Sequence, residues 1–294
     1  MLYLSIKAAE LTEWLGFPIT NTFLATILTT LVFIILVIVI SKKISIVPKG
    51  FYNAVEALFE GILNFMDGVT DSRKKTLKYV PIVVTLFLFL FVANLLSLLP
   101  IFGPITVDTM IDGQMQTVPL LRNAIADYSI PFIFAFVGVI VLQVYIIAKG
   151  GLLYYMRRFL PWYPPPDDAE TVMDYAKWFG MTLFDTMLGL INIISEIAKI
   201  VSLSFRLFGS VLSSEILFAL LMFFISYVAP TMVLGLSLFF GSIQAMVFSF
   251  LILVFFNMEE KEIIMMKEQM KEKLAKRDAK RAAKKAAKQP AIAK

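Results

Sequence analysis

Two residue types are missing from this 294-residue chain. There is no cysteine, which excludes a disulfide framework and any thiolate metal site. There is no histidine, which removes the usual general base near neutral pH and the commonest metal ligand. No metal and no cofactor is therefore expected. Charge is scarce as well: 17% of residues carry it, against about 25% in soluble domains. What fills the chain instead is apolar, 59% of residues, with a mean hydropathy of +0.81. That composition is an integral membrane protein's, with apolar runs long enough to span. The formal charge of +5 and the pI of about 9.2 would suit nucleic acid. The basic residues, however, gather at the ends of apolar runs and in the C-terminal tail, where they orient spans and meet lipid. No nucleic-acid partner is expected.

The apolar runs predict an all-α membrane domain over 23–257. Three early spans fall at 23–40, 80–100 and 129–148. The segment 51–69 interrupts its apolar residues with Asn53, Glu56, Glu60 and Asp67, and reads as an amphipathic helix on the cytoplasmic membrane surface, the alternative being a short soluble helix packed on a partner. Two long, steeply tilted helices at about 181–228 and 231–257 would form a hairpin broken at Ala229-Pro230, with Gly209 as the place for a bend. Apolar sequence of the first length exceeds the ~20 residues a perpendicular helix needs. The prolines at 161 and 164–166 form a stiff turn between the early spans and this unit. Residues 258–294 form a charged tail, a polar helix candidate from Glu259 onward that becomes a basic Ala/Lys run at 277–288.

Orientation follows from where lysine and arginine lie. The ends bearing Lys42 and Lys43, Arg73 to Lys78, and Lys149, Arg157 and Arg158 face the cytoplasm. The N-terminal segment 1–22, which lacks the pattern of a signal peptide, faces outside. So does the loop 101–128, where Asp108, Asp112 and Asp127 meet a single Arg122. The C-terminus is cytoplasmic, and its basic run fits an anionic inner leaflet or a partner subunit.

Within 181–228 one residue stands out. Arg206, in SLSFRLFGS, keeps its charge at every accessible pH. Placing it at membrane depth costs at least about 2.5–3.5 kcal/mol. At 100° per residue, Ser195, Ser202, Ser210 and Ser213 share its stripe, and Lys199 joins them. Glu215, nine positions on, is about 13 Å further along the axis and on the opposite face, too far for a simple ion pair. Glu196 can pair with Lys199 at i,i+3. Gln244, with Ser237 and Ser242 nearby, is the notable polar residue of the last helix, and its amide can hydrogen-bond a guanidinium. Asn94 and Ser97, taken alone, read as packing or capping residues. A quieter reading stays open at this point: an intramembrane arginine can snorkel or pair with a carboxylate on another helix.

SLSFRLFGS with Glu215 nine residues after the arginine resembles the signature of subunit a of F-type ATP synthases, the membrane stator beside the rotating c-ring. The segments 242–248 (SIQAMVF) and 91–100 (FVANLLSLLP) resemble that family's final helix and hairpin helix. The resemblance implies that Arg206 is the essential stator arginine facing the c-ring carboxylates. It implies two offset half-channels for H+ or Na+, with Glu215 and Gln244 lining the outer one and Glu196 toward the cytoplasmic one. Ser210, Ser237 and Ser202 would line the path, supported by Lys199, Asn94 and Ser97. The implied partners are the c-ring, the peripheral-stalk subunit b and membrane lipid. The implied location is the bacterial plasma (inner) membrane, and the implied role is non-catalytic ion translocation within a larger enzyme. The chain departs from the family pattern at Ser210, where asparagine is common, and at Ser213-Ser214, where Ala-Gly is usual. It also departs at Ser237, where histidine or glutamate is frequent, and at Ser97, where an acidic residue is. The alternatives are a self-contained secondary transporter or channel with an arginine in its substrate site, and a purely structural assembly subunit. No inverted repeat supports the first of these.

Overall fold

The structure is a computed structural model that describes residues 9–14, 17–42, 49–99, 102, 105–111, 114–160, 171–224 and 228–288. The proline turn at 161–168, Lys43 and Asp112 lie outside the described residues. Among those described, five helices are long and apolar enough to cross a membrane. Every membrane-length element is a helix, because hydrocarbon offers no partner for an unpaired backbone N–H or C=O. The chain is an all-α integral membrane protein, with two small strand pairs added.

Helix α1 spans Asn21–Ser41 and begins where the Thr20 hydroxyl accepts the Phe23 N–H at 3.2 Å. Helix α2, Phe51–Thr70, ends at Asp71 in the left-handed conformation (φ 60°). It buries Ile62, Met66 and Thr70 and leaves Phe51 and Leu58 exposed. Helix α3 runs Arg73–Ser97, starting seven residues before the expected apolar span. Lysine and arginine are good helix formers, so the basic cluster joins the helix rather than capping it. Helix α4 covers Ser129–Gly150, and a short α5 covers Leu152–Phe159.

The last two helices are longer than the apolar pattern indicates. Helix α6 runs 53 residues, Val172–Phe224, unbroken at Gly209. At 1.5 Å per residue that is about 80 Å, against a hydrocarbon core of about 30 Å. Helix α7 runs 61 residues, Val228–Lys288. Pro230 sits in its first turn, where a missing N–H has no intrahelical acceptor to lose. The charged tail, expected as a polar helix from Glu259 onward, continues α7 past 257 without a break. Residues 225–227, which join α6 to α7, lie outside the described residues.

Two compact units share these elements. The first comprises Met1–Val141 and Ile191–Val254. Tyr79, Val83, Leu90, Leu203, Leu207, Phe248 and Leu253 are buried in it. Ring contacts tie its helices: Phe33 to Phe89 at 5.9 Å, Phe89 to Phe134 at 5.1 Å and Phe65 to Phe250 at 4.5 Å. Strands β1 (Glu10–Trp14) and β2 (Phe17–Thr20) pair antiparallel, as do β3 (Thr106–Ile111) and β4 (Gln114–Pro119). The apolar periodicity did not announce these ribbons; the signal was the threonine and β-branched content of TVDTMI and QMQTVP. The Thr109 hydroxyl donates to the Glu10 carbonyl at 3.0 Å, and the Asn21 amide to the Pro119 carbonyl at 3.2 Å, so both ribbons and α1 are linked.

The second unit comprises Leu142–Leu190 and Phe255–Lys294. Its centre is a two-pronged ion pair: Arg158 Nη1 donates to Glu259 Oε2 at 2.5 Å and Nη2 to Oε1 at 2.8 Å. The two side chains are only 9% and 5% exposed. Around them, Tyr145 donates to Glu260 at 3.1 Å and the Lys267 ammonium to the Lys149 carbonyl at 2.7 Å. Burial, and then the Glu262 carboxylate, pushes the Tyr154 phenol up to about 12, so it stays neutral. Gly189 passes so close to the end of α5 that an added methyl would run into the Phe159 carbonyl.

A buried pair of this kind is costly to break from one side, because the survivor is left charged and dry. Glu259→Ala should destabilise the protein by about 3–5 kcal/mol, read as a lower thermal midpoint in detergent. Replacing both partners with apolar residues (Arg158→Met with Glu259→Leu) should restore most of that loss. An unchanged midpoint in Glu259→Ala would mean that the pair carries no stability.

Candidate functional site

The two sides of α6 differ in what covers them. Taking Ser204 as reference at 100° per residue, Leu207, Val211 and Glu215 lie within about 60° of it. Ser204, Leu207 and Val211 are buried. Arg206 points about 180° from Glu215, and its side chain is exposed. Ser195, Ser202 and Ser213 share that exposed stripe, with Ser210 half-buried beside them. Three of the hydroxyls are turned inward to their own helix. Ser195 donates to the Ile191 carbonyl at 2.9 Å, Ser210 to Leu207 at 2.9 Å and Ser213 to Gly209 at 2.6 Å. Small side chains satisfied this way leave the stripe low and smooth around one long cation, which permits close approach by another helix. Among the described residues Arg206 has no ion-pair or hydrogen-bond partner.

The other charges on α6 are compensated. Lys199 Nζ lies 2.9 Å from Glu196 Oε1, the i,i+3 pair that the spacing allows. Glu215 is held by Arg122, a residue sequence reasoning left in its loop. Arg122 Nη2 donates to Glu215 Oε2 at 2.6 Å, and Nε donates to the same oxygen at 3.2 Å. The segment carrying Arg122 is well anchored. Leu120 N–H donates to the Ile105 carbonyl at 2.8 Å, the Asn123 side chain accepts from Ile125 N–H at 3.0 Å, and Ala124, Ile125 and Ala126 are buried. Tyr128 then packs on α6, 5.2 Å from the Phe205 ring and 5.6 Å from Phe208, with its hydroxyl 3.4 Å from Ser204 Oγ. The only signal for Arg122 in the sequence was its solitude among aspartates. Nothing in residue spacing links it to a position 93 residues away.

On α7, Ser237, Gly241 and Gln244 lie on one face, within about 60°. Asn94 Nδ2 donates to the Gly241 carbonyl at 3.0 Å, and Ser97 Oγ donates to the Asn94 carbonyl at 2.7 Å. Both sequence-predicted polar residues of α3 thus serve to seat α7 against it. Gly241 is what permits the approach, since a Cβ there would stand 3.0 Å from the Asn94 amide. One turn on, the Gln244 Nε2 is buried without a hydrogen-bond partner among the described residues, which is uncommon for a polar side chain. The possible hydrogen bond between Gln244 and the Arg206 guanidinium is not formed. The arrangement offers one fixed cation open to the outside of the chain, one carboxylate with a bound counter-charge, and one unspent amide donor.

Comparison with known proteins gives a consistent result. The family model described as ATP synthase A chain matches residues 22–257. The chain is 26% identical over 250 residues to a protein of Moorella thermoacetica named ATP synthase subunit a, covering 85% of this chain and 95% of that one. It is 30% identical over 253 residues to a protein of the same name from Mycobacterium marinum, covering 83% and 88%. A third of that name, from Nitratiruptor, is 29% identical over 238 residues, covering 81% and 86%.

The Asn94–Gly241 contact can be tested against a clean background, because the chain has no cysteine of its own. A Cβ on Gly241 would lie 3.3 Å from the Asn94 Cβ, next to the range of about 3.5–4.5 Å found in disulfides. The double variant Asn94→Cys with Gly241→Cys should cross-link on mild oxidation, read as a mobility shift that a reductant reverses. Failure to cross-link would separate α3 from α7 at this level.

Proposed function

The chain belongs to the ATP synthase A chain family and is a multi-pass membrane protein, and from that premise we propose that it is the stator subunit of a rotary F-type ATP synthase. In this reading Arg206 faces the carboxylates of a c-ring, and two offset half-channels lead ions to and from the ring. Glu215 and Gln244, with Ser237, line the outer one. Glu196, with Ser202 and Lys199, lies toward the cytoplasmic one, and Ser210 sits beside the arginine. The N-terminus is outside and the C-terminus cytoplasmic, where the peripheral stalk binds. The observation that carries the reading is Arg206 itself, a permanent charge on an exposed helix face with no partner among the described residues of its own chain. Lipid cannot cover it. A carboxylate on another subunit can.

The chemistry follows from electrostatics. A ring carboxylate facing lipid has to be neutral, by protonation or by ion binding. Opposite Arg206 the charged form is favoured, so the ion is released there. The same fixed charge repels a cation passing straight from one half-channel to the other, so ions travel with the ring. A membrane potential supplies about 2.3 kcal/mol per elementary charge for each 100 mV. The polypeptide forms no covalent intermediate and consumes no substrate. It sets where a charged carboxylate is tolerated.

Arg206→Ala should abolish ion pumping coupled to ATP hydrolysis in membrane vesicles, while the soluble ATPase sector keeps its activity. Arg206→Lys keeps the charge and loses the planar fork, so coupling should be severely impaired there too. Retained coupled pumping in Arg206→Ala, or ion transport by the purified chain alone in liposomes, would overturn the proposal.

A further inference from the structure

Glu215 is not an isolated relay group: its two oxygens are in different situations. Oε2 takes two N–H donors from Arg122, at 2.6 and 3.2 Å. Oε1 has no hydrogen-bond partner among the described residues. The pair is half-sheltered, with Arg122 13% and Glu215 26% exposed. The cation is delivered by a segment fixed at both sides. The β3–β4 ribbon and the Asn21 amide hold Pro119, and the buried Ala124–Ile125–Ala126 run holds the far side.

We infer that Arg122 is a positioning residue for ion transfer at Glu215, and this rests on the reading that Glu215 lines the outer half-channel. Arg122 clamps one carboxylate oxygen and so fixes the side-chain rotamer. That turns the other oxygen into the exchange point for the travelling ion. The clamp also keeps the carboxylate from being an uncompensated charge in a poorly hydrated place, which would be costly. Because both donors converge on a single oxygen, the fork is used for orientation as well as for charge. A lysine, with one rotatable ammonium, cannot reproduce that geometry. Glu215 then has a counter-charge that never leaves, on the face of α6 opposite the one that Arg206 occupies.

The test uses the whole complex carrying variant chains, in membrane vesicles stripped of the soluble sector, with passive flux of the coupling ion as readout. Co-purification of the chain with its complex reports assembly. Arg122→Ala should lower flux roughly tenfold to a hundredfold with assembly retained, the range expected for losing hydrogen bonds to a charged group. Arg122→Lys should assemble normally and fall between that and the parent. If Arg122→Ala fails to assemble, Arg122→Lys carries the test, and parental flux in it overturns the proposal. The exchanged pair, Arg122→Glu with Glu215→Arg, separates positioning from mere stapling. A staple is restored by the exchange, whereas a positioned carboxylate is not, so regained flux would also overturn the proposal. Glu215→Gln tests the premise separately. If it leaves flux unchanged, the half-channel reading of Glu215 falls and this inference with it. If it stops flux while Arg122→Ala does not, only the role of Arg122 falls.

Discussion

A guanidinium cannot shed its charge, and hydrocarbon cannot solvate it. The organisation of α6 follows from that constraint. One side of the helix is closed by Tyr128, Leu207 and Val211, and there the acidic Glu215 is matched by Arg122. The other side is left open, lined by serines of which Ser195, Ser210 and Ser213 bond back to their own helix, and carries Arg206. A helix with one satisfied face and one unsatisfied face is half of an interface. The satisfied face belongs to the fold, and the open one awaits whatever the chain is assembled with.

The remainder of the first unit keeps this helix and its neighbour in place by close backbone approach rather than bulk. Asn94 reaches the Gly241 carbonyl because Gly241 has no side chain, and Ser97 fixes Asn94 in turn. The ribbons of β3 and β4, pinned to α1 through Asn21 and Pro119, serve the same end at the loop that bears Arg122. The Asn94–Gly241 contact suits a membrane interior, where burying apolar area gains little against lipid and directional bonds and tight packing decide which helices meet. Gln244 follows one turn after Gly241, so the glycine that brings the helices together also fixes where the spare amide lies.

What the sequence made legible has a physical pattern. The membrane helices were readable because twenty apolar residues in a row have few alternatives to crossing a bilayer, and five of the described helices are long and apolar enough to do so. Arg206 was readable because a charge in such a run is expensive. The Glu196–Lys199 pair was readable because helix geometry alone brings i and i+3 together. Arg122 with Glu215, and Arg158 with Glu259, were not, because their partners are 93 and 101 residues apart and no local rule connects them. The helix ends were misjudged for a related reason. Lysine and arginine at positions 73–78 end an apolar run without ending a helix.

The contrast between Lys199 and Arg206 shows why an open charge suits a rotary reading. Lys199 sits 2.9 Å from a carboxylate of its own helix. An ion pair at about 4 Å is worth about 4 kcal/mol at an effective dielectric of 20. The membrane potential provides only about 2.3 kcal/mol per charge for each 100 mV. Had Arg206 a carboxylate of its own at similar range, each visiting carboxylate would have to compete with it, and the available driving force would not displace it. A partner that arrives and departs with every ion can be held only if the arginine has no better offer inside its own subunit. On this view the lack of a partner for Arg206 among the described residues and the permanent partner of Glu215 are complementary requirements. On the proposed reading, the charge that exchanges its partner is the one with none among the described residues, and the charge that stays oriented is the one tethered by Arg122.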